Sequence, residues 1–170
     1  MDARSETEPA PMKHPTTVTR TSDRELVVTR TFDAPARIVF AAWTTPELFK
    51  RWWVPKGAPI ALASCELDVR VGGTYRLVFT LVDDPATTME FFGTYLEVTP
   101  PSRLVWTNEE GDEGGAVTTL TLEEKDGKTL LVKHDLYPSK AALDGEFDSG
   151  ATEGLPAQLE QLAELLGTRG

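Results

Sequence analysis

Cysteine is almost absent from this chain: Cys65 stands alone among 170 residues, so no internal disulfide can form. Histidine is nearly as scarce, and His14 and His134 lie too far apart to complete a four-ligand zinc site with one thiol. Neither a metal nor a cofactor is expected. Long apolar runs are missing as well. The opening MDARSETEPAPMKHP has no stretch that could serve as a secretion signal, and no later segment approaches the ~20 residues of a membrane span. A cytoplasmic protein with no membrane partner is therefore expected. Positive charge is also scarce: 17 Lys+Arg against 27 Asp+Glu leave a net charge of -10, which opposes any general grip on nucleic acid.

Catalytic signatures are lacking too. No G-x-S-x-G elbow occurs, and Cys65 has no histidine near it in sequence. Gly72-Gly73 and Gly114-Gly115 lack both the G-x-G-x-x-G spacing and a following helix, so they read as hairpin turns and not as phosphate cradles.

What remains is a chain with room for one well-buried core. Residues 1–16 are polar and proline-rich, too poor in aliphatic side chains to offset the entropy of ordering, and are expected to form a loose tail, with Met12 as an alternative start. Residues 17–170 then form a single domain. Thr17 to Phe32 reads as one long strand bent at Ser22-Asp23. Two short helices follow, one marked by Asp33-Ala34-Pro35 and one by Thr45 as a side-chain cap ahead of Pro46. A strand over Ala61 to Arg70 turns at Gly72-Gly73 into TYRLVFTLV, where Tyr75, Leu77 and Phe79 share one face.

Asp83-Asp84-Pro85 turns the chain again. TMEFFGTYLEV, RLVWTN, AVTTLTLEE and KTLLVKHDLY complete an antiparallel meander. Leu155, Leu159, Leu162 and Leu166 then recur at helical spacing, with a kink or restart near Gly154 because of Pro156. The fold class is α+β: a curved antiparallel sheet of six or seven strands wrapped around a long C-terminal helix.

One helix cannot fill the concavity of such a sheet, so a cavity is expected between them. Its aromatic lining would be Trp53, Tyr75, Phe79, Phe92 and Trp106, although Trp106 could equally cover the outer face. Leu77, Leu120, Val132, Leu155 and Leu159 would supply aliphatic burial, each contributing ~1.5–3 kcal/mol to a ligand before ordering costs. Trp43 and one of the pair Trp52/Trp53 fill core, and Trp53 is assigned to the mouth because adjacent helical residues point about 100° apart.

His134 alternates with Leu130 and Val132, so its side chain should share their inward face. It is then a core histidine satisfied by a neighbour, a hydrogen-bond anchor for a ligand, or a general acid or base beside a carboxylate. Tyr75 is the other group that could orient a polar end. Glu90 reads as a rim residue, and Asp68 with Arg70 as a surface pair steadying the hairpin.

The ordered series FDAPARIVFAAWTTPELFKRWW (32–53), DVRVGGTYRL (68–77), FFGTYLEVTPPSRLVWT (91–107), GKTLLVKH (127–134) and EGLPAQLEQLAELL (153–166) resembles the START-like, birch-pollen-allergen-like helix-grip superfamily known as SRPBCC. More narrowly it is similar to the branch named for the activator of the ninety-kilodalton heat-shock-protein ATPase, whose name implies a stress-response setting. The chain departs from that branch at Gly154-Leu155-Pro156, where relatives usually carry Gly-Trp. The resemblance implies a single domain that encloses a small hydrophobic molecule, without a shared catalytic motif. It also admits an enzyme of the cyclase or hydrolase kind with His134 moving a proton, a co-chaperone role, and a homodimer formed through an edge strand.

Overall fold

The computed structural model describes residues 15–109, 115–149 and 151–169. The expectations for most of the opening tail, and for the acidic Gly-rich connection at 110–114, lie outside them. Strands β1 (Thr17–Arg20), β2 (Glu25–Phe32), β3 (Ile60–Leu67), β4 (Thr74–Leu81), β5 (Asp84–Thr99), β6 (Arg103–Thr107), β7 (Val117–Lys125) and β8 (Lys128–Leu136) form one sheet in the order β1-β2-β8-β7-β6-β5-β4-β3. Every neighbouring pair is antiparallel.

The eighth strand corrects the expected count. The bend at Ser22-Asp23 is a full reversal, and Thr17 to Arg20 folds back to pair Thr17 with Thr29. The Arg20 guanidinium holds the turn by donating to the carbonyls of Ser22 and Asp23. The next turn also sits differently: β5 begins at Asp84, so Pro85 lies inside a strand. Proline is tolerated there because β6 pairs only with Tyr95 to Thr99, leaving the first part of β5 with one open edge.

Helices α1 (Ala36–Thr44), α2 (Pro46–Trp52), α3 (Lys140–Asp148) and α4 (Leu155–Arg169) cover one face of the sheet. Local capping plays a smaller part than the sequence suggests. Thr45 precedes Pro46 but makes no side-chain cap, and the Ala36 amide at the start of α1 donates to Glu124 Oε1 of β7 at 2.9 Å. Asp33 instead pairs with Lys128 at 3.0 Å. A 3-10 turn at Ala151–Gly154 precedes α4, so Pro156 occupies the first helical turn, where its missing N–H has no helical partner to lose.

The main core joins Leu159, Leu162 and Leu166 of α4 to Val28, Phe32, Leu120 and Leu131 of the sheet. Arg30, only 6% exposed, reaches Glu160 at 3.0 Å and ties α4 to β2. No helix among the described residues is long and apolar enough to cross a membrane.

Candidate functional site

Toward the β3–β6 side the sheet curves away from the helices and leaves a cavity of about 640 Å³, within the usual range for small-molecule sites. Tyr75, Leu77 and Phe79 of β4 point into it by strand alternation, joined by Met89, Phe91 and Tyr95 of β5 and by Leu104 and Trp106 of β6. Trp43, Phe49, Trp53, Val54 and Pro55 close the opposite side, with Gly154, Leu155 and Gln158 at the start of α4.

One wall is an aromatic cluster. Phe49 and Trp53 stack at 4.5 Å between ring centroids, and Trp43 lies 5.8 Å from Trp53 and 6.0 Å from Trp106. Trp52 is fully buried beneath the cluster, its indole N–H donating to the Ala42 carbonyl at 3.0 Å, so Trp53 is the partner left facing the cavity. Trp43 Nε1 is buried without a hydrogen-bond partner.

The other end is polar. Tyr75 donates its hydroxyl proton toward the Thr107 carbonyl at 2.9 Å and Asn108 Oδ1 at 3.1 Å. The Asn108 amide donates to the Ala116 carbonyl at 2.7 Å and to Thr118 Oγ1 at 3.0 Å. Thr118 in turn donates to Asp135 Oδ1 at 2.5 Å, and Lys133 Nζ donates to Asp135 Oδ2 at 2.8 Å. Asn108, Thr118, Lys133 and Asp135 all line the cavity, as do Tyr137 and Glu146. A chain of this kind, removed from water, is rigid only when its donors and acceptors are matched. Gly93 makes room for it, because a Cβ there would lie 1.8 Å from the Thr107 carbonyl oxygen and 2.7 Å from the Tyr75 ring.

The cavity gathers Trp53, Tyr75, Leu77, Phe79, Trp106 and Leu155 from the residues singled out by sequence. Leu120 and Leu159 lie in the solid core instead, at 0% and 2% exposure. Phe92 does not line the cavity: alternation along β5 puts Phe91 on the cavity side, edge-on to the Phe79 ring, although both phenylalanines are well exposed.

His134 and Val132 require the same correction. The inward residues of β8 are Thr129, Leu131, Lys133 and Asp135, so His134 sits on the opposite face, where its imidazole bonds Glu25 at 2.9 Å. A proton-transfer group there does not reach a molecule in the cavity. Glu90 pairs with Arg76 on the exposed surface, and Arg70 holds both carboxylate oxygens of Asp68 at 3.0 Å.

The mouth depends on two glutamines that sequence reasoning passed over. Gln161 of α4 donates to the carbonyls of Trp52 and Val54 at 3.0 and 2.9 Å and accepts from the Lys56 amide at 2.7 Å. Gln158 donates to the Trp53 carbonyl at 2.6 Å. Those bonds satisfy carbonyls at the end of α2, where the helix leaves them without intrahelical partners.

Titration states follow from burial. Desolvation pushes the Cys65 thiol up to about 11, so it stays protonated and is no nucleophile at neutral pH. Desolvation also raises Tyr95 and Tyr137, and for Tyr137 the nearby charges of Asp135 and Glu146 add to the effect. Both phenols remain neutral.

Solved proteins from several bacteria share the fold. A crystal structure of a Rhodobacter sphaeroides protein superposes with a TM-score of 0.82 at 24% identity, covering 90% of this chain and 99% of that one. A Nitrosomonas europaea protein gives 0.77 at 25% identity, over 88% and 98%. An AHSA1-like protein from Aeromonas hydrophila gives 0.63 at 18% identity, over 82% and 94%. No functionally curated protein matches the sequence. The family model for Activator of Hsp90 ATPase homolog 1-like proteins matches residues 33–167. The chain therefore belongs to that family, a branch of the SRPBCC helix-grip superfamily.

Proposed function

We propose that the protein binds one small, mostly hydrophobic molecule in the cavity between its sheet and the α2–α4 side, as a carrier or sensor and not as an enzyme. The observation that carries this reading is the 640 Å³ space itself, bounded largely by aromatic and aliphatic side chains. An apolar guest there would exchange water contact for ring and methyl contact on several sides, contributing ~25 cal/mol per Å² of apolar surface buried. The fold supports the same reading, since helix-grip domains typically hold hydrophobic ligands.

Native mass spectrometry of protein from its own host, together with titration by the neutral dye N-phenyl-1-naphthylamine, tests it. One dye per chain is expected, with affinity lowered on the order of tenfold by Leu155→Trp, which places an indole in the cavity. His134→Gln should leave dye binding unchanged. Absence of both a co-purifying mass and dye binding overturns the reading.

A further inference from the structure

We infer that the molecule held in the cavity is uncharged and carries a carbonyl or hydroxyl oxygen, which seats on the Lys133 ammonium while its apolar body lies against the aromatic wall. This inference rests on the carrier reading above and names the chemistry of its ligand. Lys133 and Asp135 form an ion pair at 2.8 Å with side-chain exposures of 15% and 5%. A pair so far removed from water is favourable only when the remaining donors and acceptors are also matched.

The two partners differ in that respect. Asp135 has one oxygen on Lys133 and the other on Thr118. The ammonium carries three donors, and among the described residues it makes a single hydrogen bond, to Asp135. Acceptors for the others must come from water or from what the cavity holds. The Tyr137 phenol, neutral in this setting, lines the same space.

Charge balance selects the kind of acceptor. Asp135 already neutralises Lys133, so this end offers an anionic ligand no net positive charge and sets the Asp135 carboxylate beside it. A ligand carboxylate would meet like charge and lose its own hydration. A ligand ammonium would abut Lys133. A ketone, phenol or alcohol oxygen accepts from the ammonium without either penalty. The opposing wall of Trp53 and Phe49, stacked at 23° between planes, presents flat faces to the ligand body.

Three probes with one ring system separate these terms: 2-acetylnaphthalene, 2-ethylnaphthalene and 2-naphthoate, each titrated at neutral pH against tryptophan fluorescence. On the unaltered protein 2-acetylnaphthalene should bind on the order of tenfold tighter than 2-ethylnaphthalene, and 2-naphthoate no tighter than 2-ethylnaphthalene. Asp135→Asn frees the Lys133 charge and should raise 2-naphthoate affinity on the order of tenfold. The double variant Lys133→Met, Asp135→Asn should erase the acetyl advantage, bringing the 2-acetylnaphthalene and 2-ethylnaphthalene affinities to within about twofold of each other.

Equal binding of the acetyl and ethyl probes, or tightest binding of 2-naphthoate to the unaltered protein, overturns the head-group inference and leaves the carrier reading intact. Failure of all three probes overturns the head-group inference, and the carrier reading falls with it only if dye binding and a co-purifying mass are absent as well. If a variant does not fold, as judged by circular dichroism, the ranking on the unaltered protein decides.

Discussion

At the scale of single residues, the informative positions are those whose chemistry contradicts the local pattern. Lys133 and Asp135 alternate with Leu130, Val132 and His134, and a reader of period two assigns the charged set to solvent. The structure turns them inward, because the cavity needs a polar end and Thr118 and Asn108 on β7 and beyond β6 are placed to satisfy it. A rule of patterning broken at a candidate site is the expected kind of exception. Gly93 is a second such position. Its φ is ordinary, but the neighbouring Thr107 carbonyl occupies the space of a side chain. Gly93→Ala should therefore cost ~1–3 kcal/mol through forced displacement of β6. Urea denaturation would measure it, and a change in the Tyr75 environment should accompany the loss.

At the scale of elements, segments with a clear period or a marked start were legible, the short helices α1 and α2 among them, whereas α3 and the first strand reversal were not. α4 announces itself through Leu159, Leu162 and Leu166 at helical spacing, and all three are buried. α3 was missed because its nine residues hold Gly145 and only one buried side chain, Leu143. Its start was visible only as Ser139, whose hydroxyl accepts from the Ala142 amide at 3.1 Å. The reversal after Arg20 was legible only as a bend, because Ser22-Asp23 interrupts two strand-forming runs and nothing local distinguishes a bend from a full turn. Contacts between elements leave still less trace. Gln161 reads as a solvated helix residue, yet it fastens α4 to the segment after α2. Gln161→Leu should cost ~1–3 kcal/mol by leaving those groups unpaired. Faster hydrogen exchange at the Lys56 amide would report the loosened mouth directly.

Across the whole molecule, surface carboxylates make stability depend on acid. Hydrogen bonds from His134 and Ser22 hold Glu25 below the usual carboxylate range. Thr107 and Thr94 do the same for Glu109, and Lys140 with Arg20 for Asp144. A depressed carboxylate binds fewer protons folded than unfolded, so its stabilisation is complete above the unfolded value and is lost as pH falls through the folded one. The melting temperature should thus hold steady near neutrality and decline below about pH 4. Glu25→Gln should lower the neutral plateau slightly and shallow the acid slope; an unchanged slope would show that this pair contributes nothing. Fold class, the order of most elements and the burial of α4 could be read from residue order, because hydrophobic period and turn chemistry act over a few neighbouring positions. The inward face of β8, the choice of Phe91 over Phe92, and the charge pair at the cavity's polar end could not. Each depends on how strands far apart in the chain register against one another, and a shift of one residue in that pairing exchanges every inside group for an outside one.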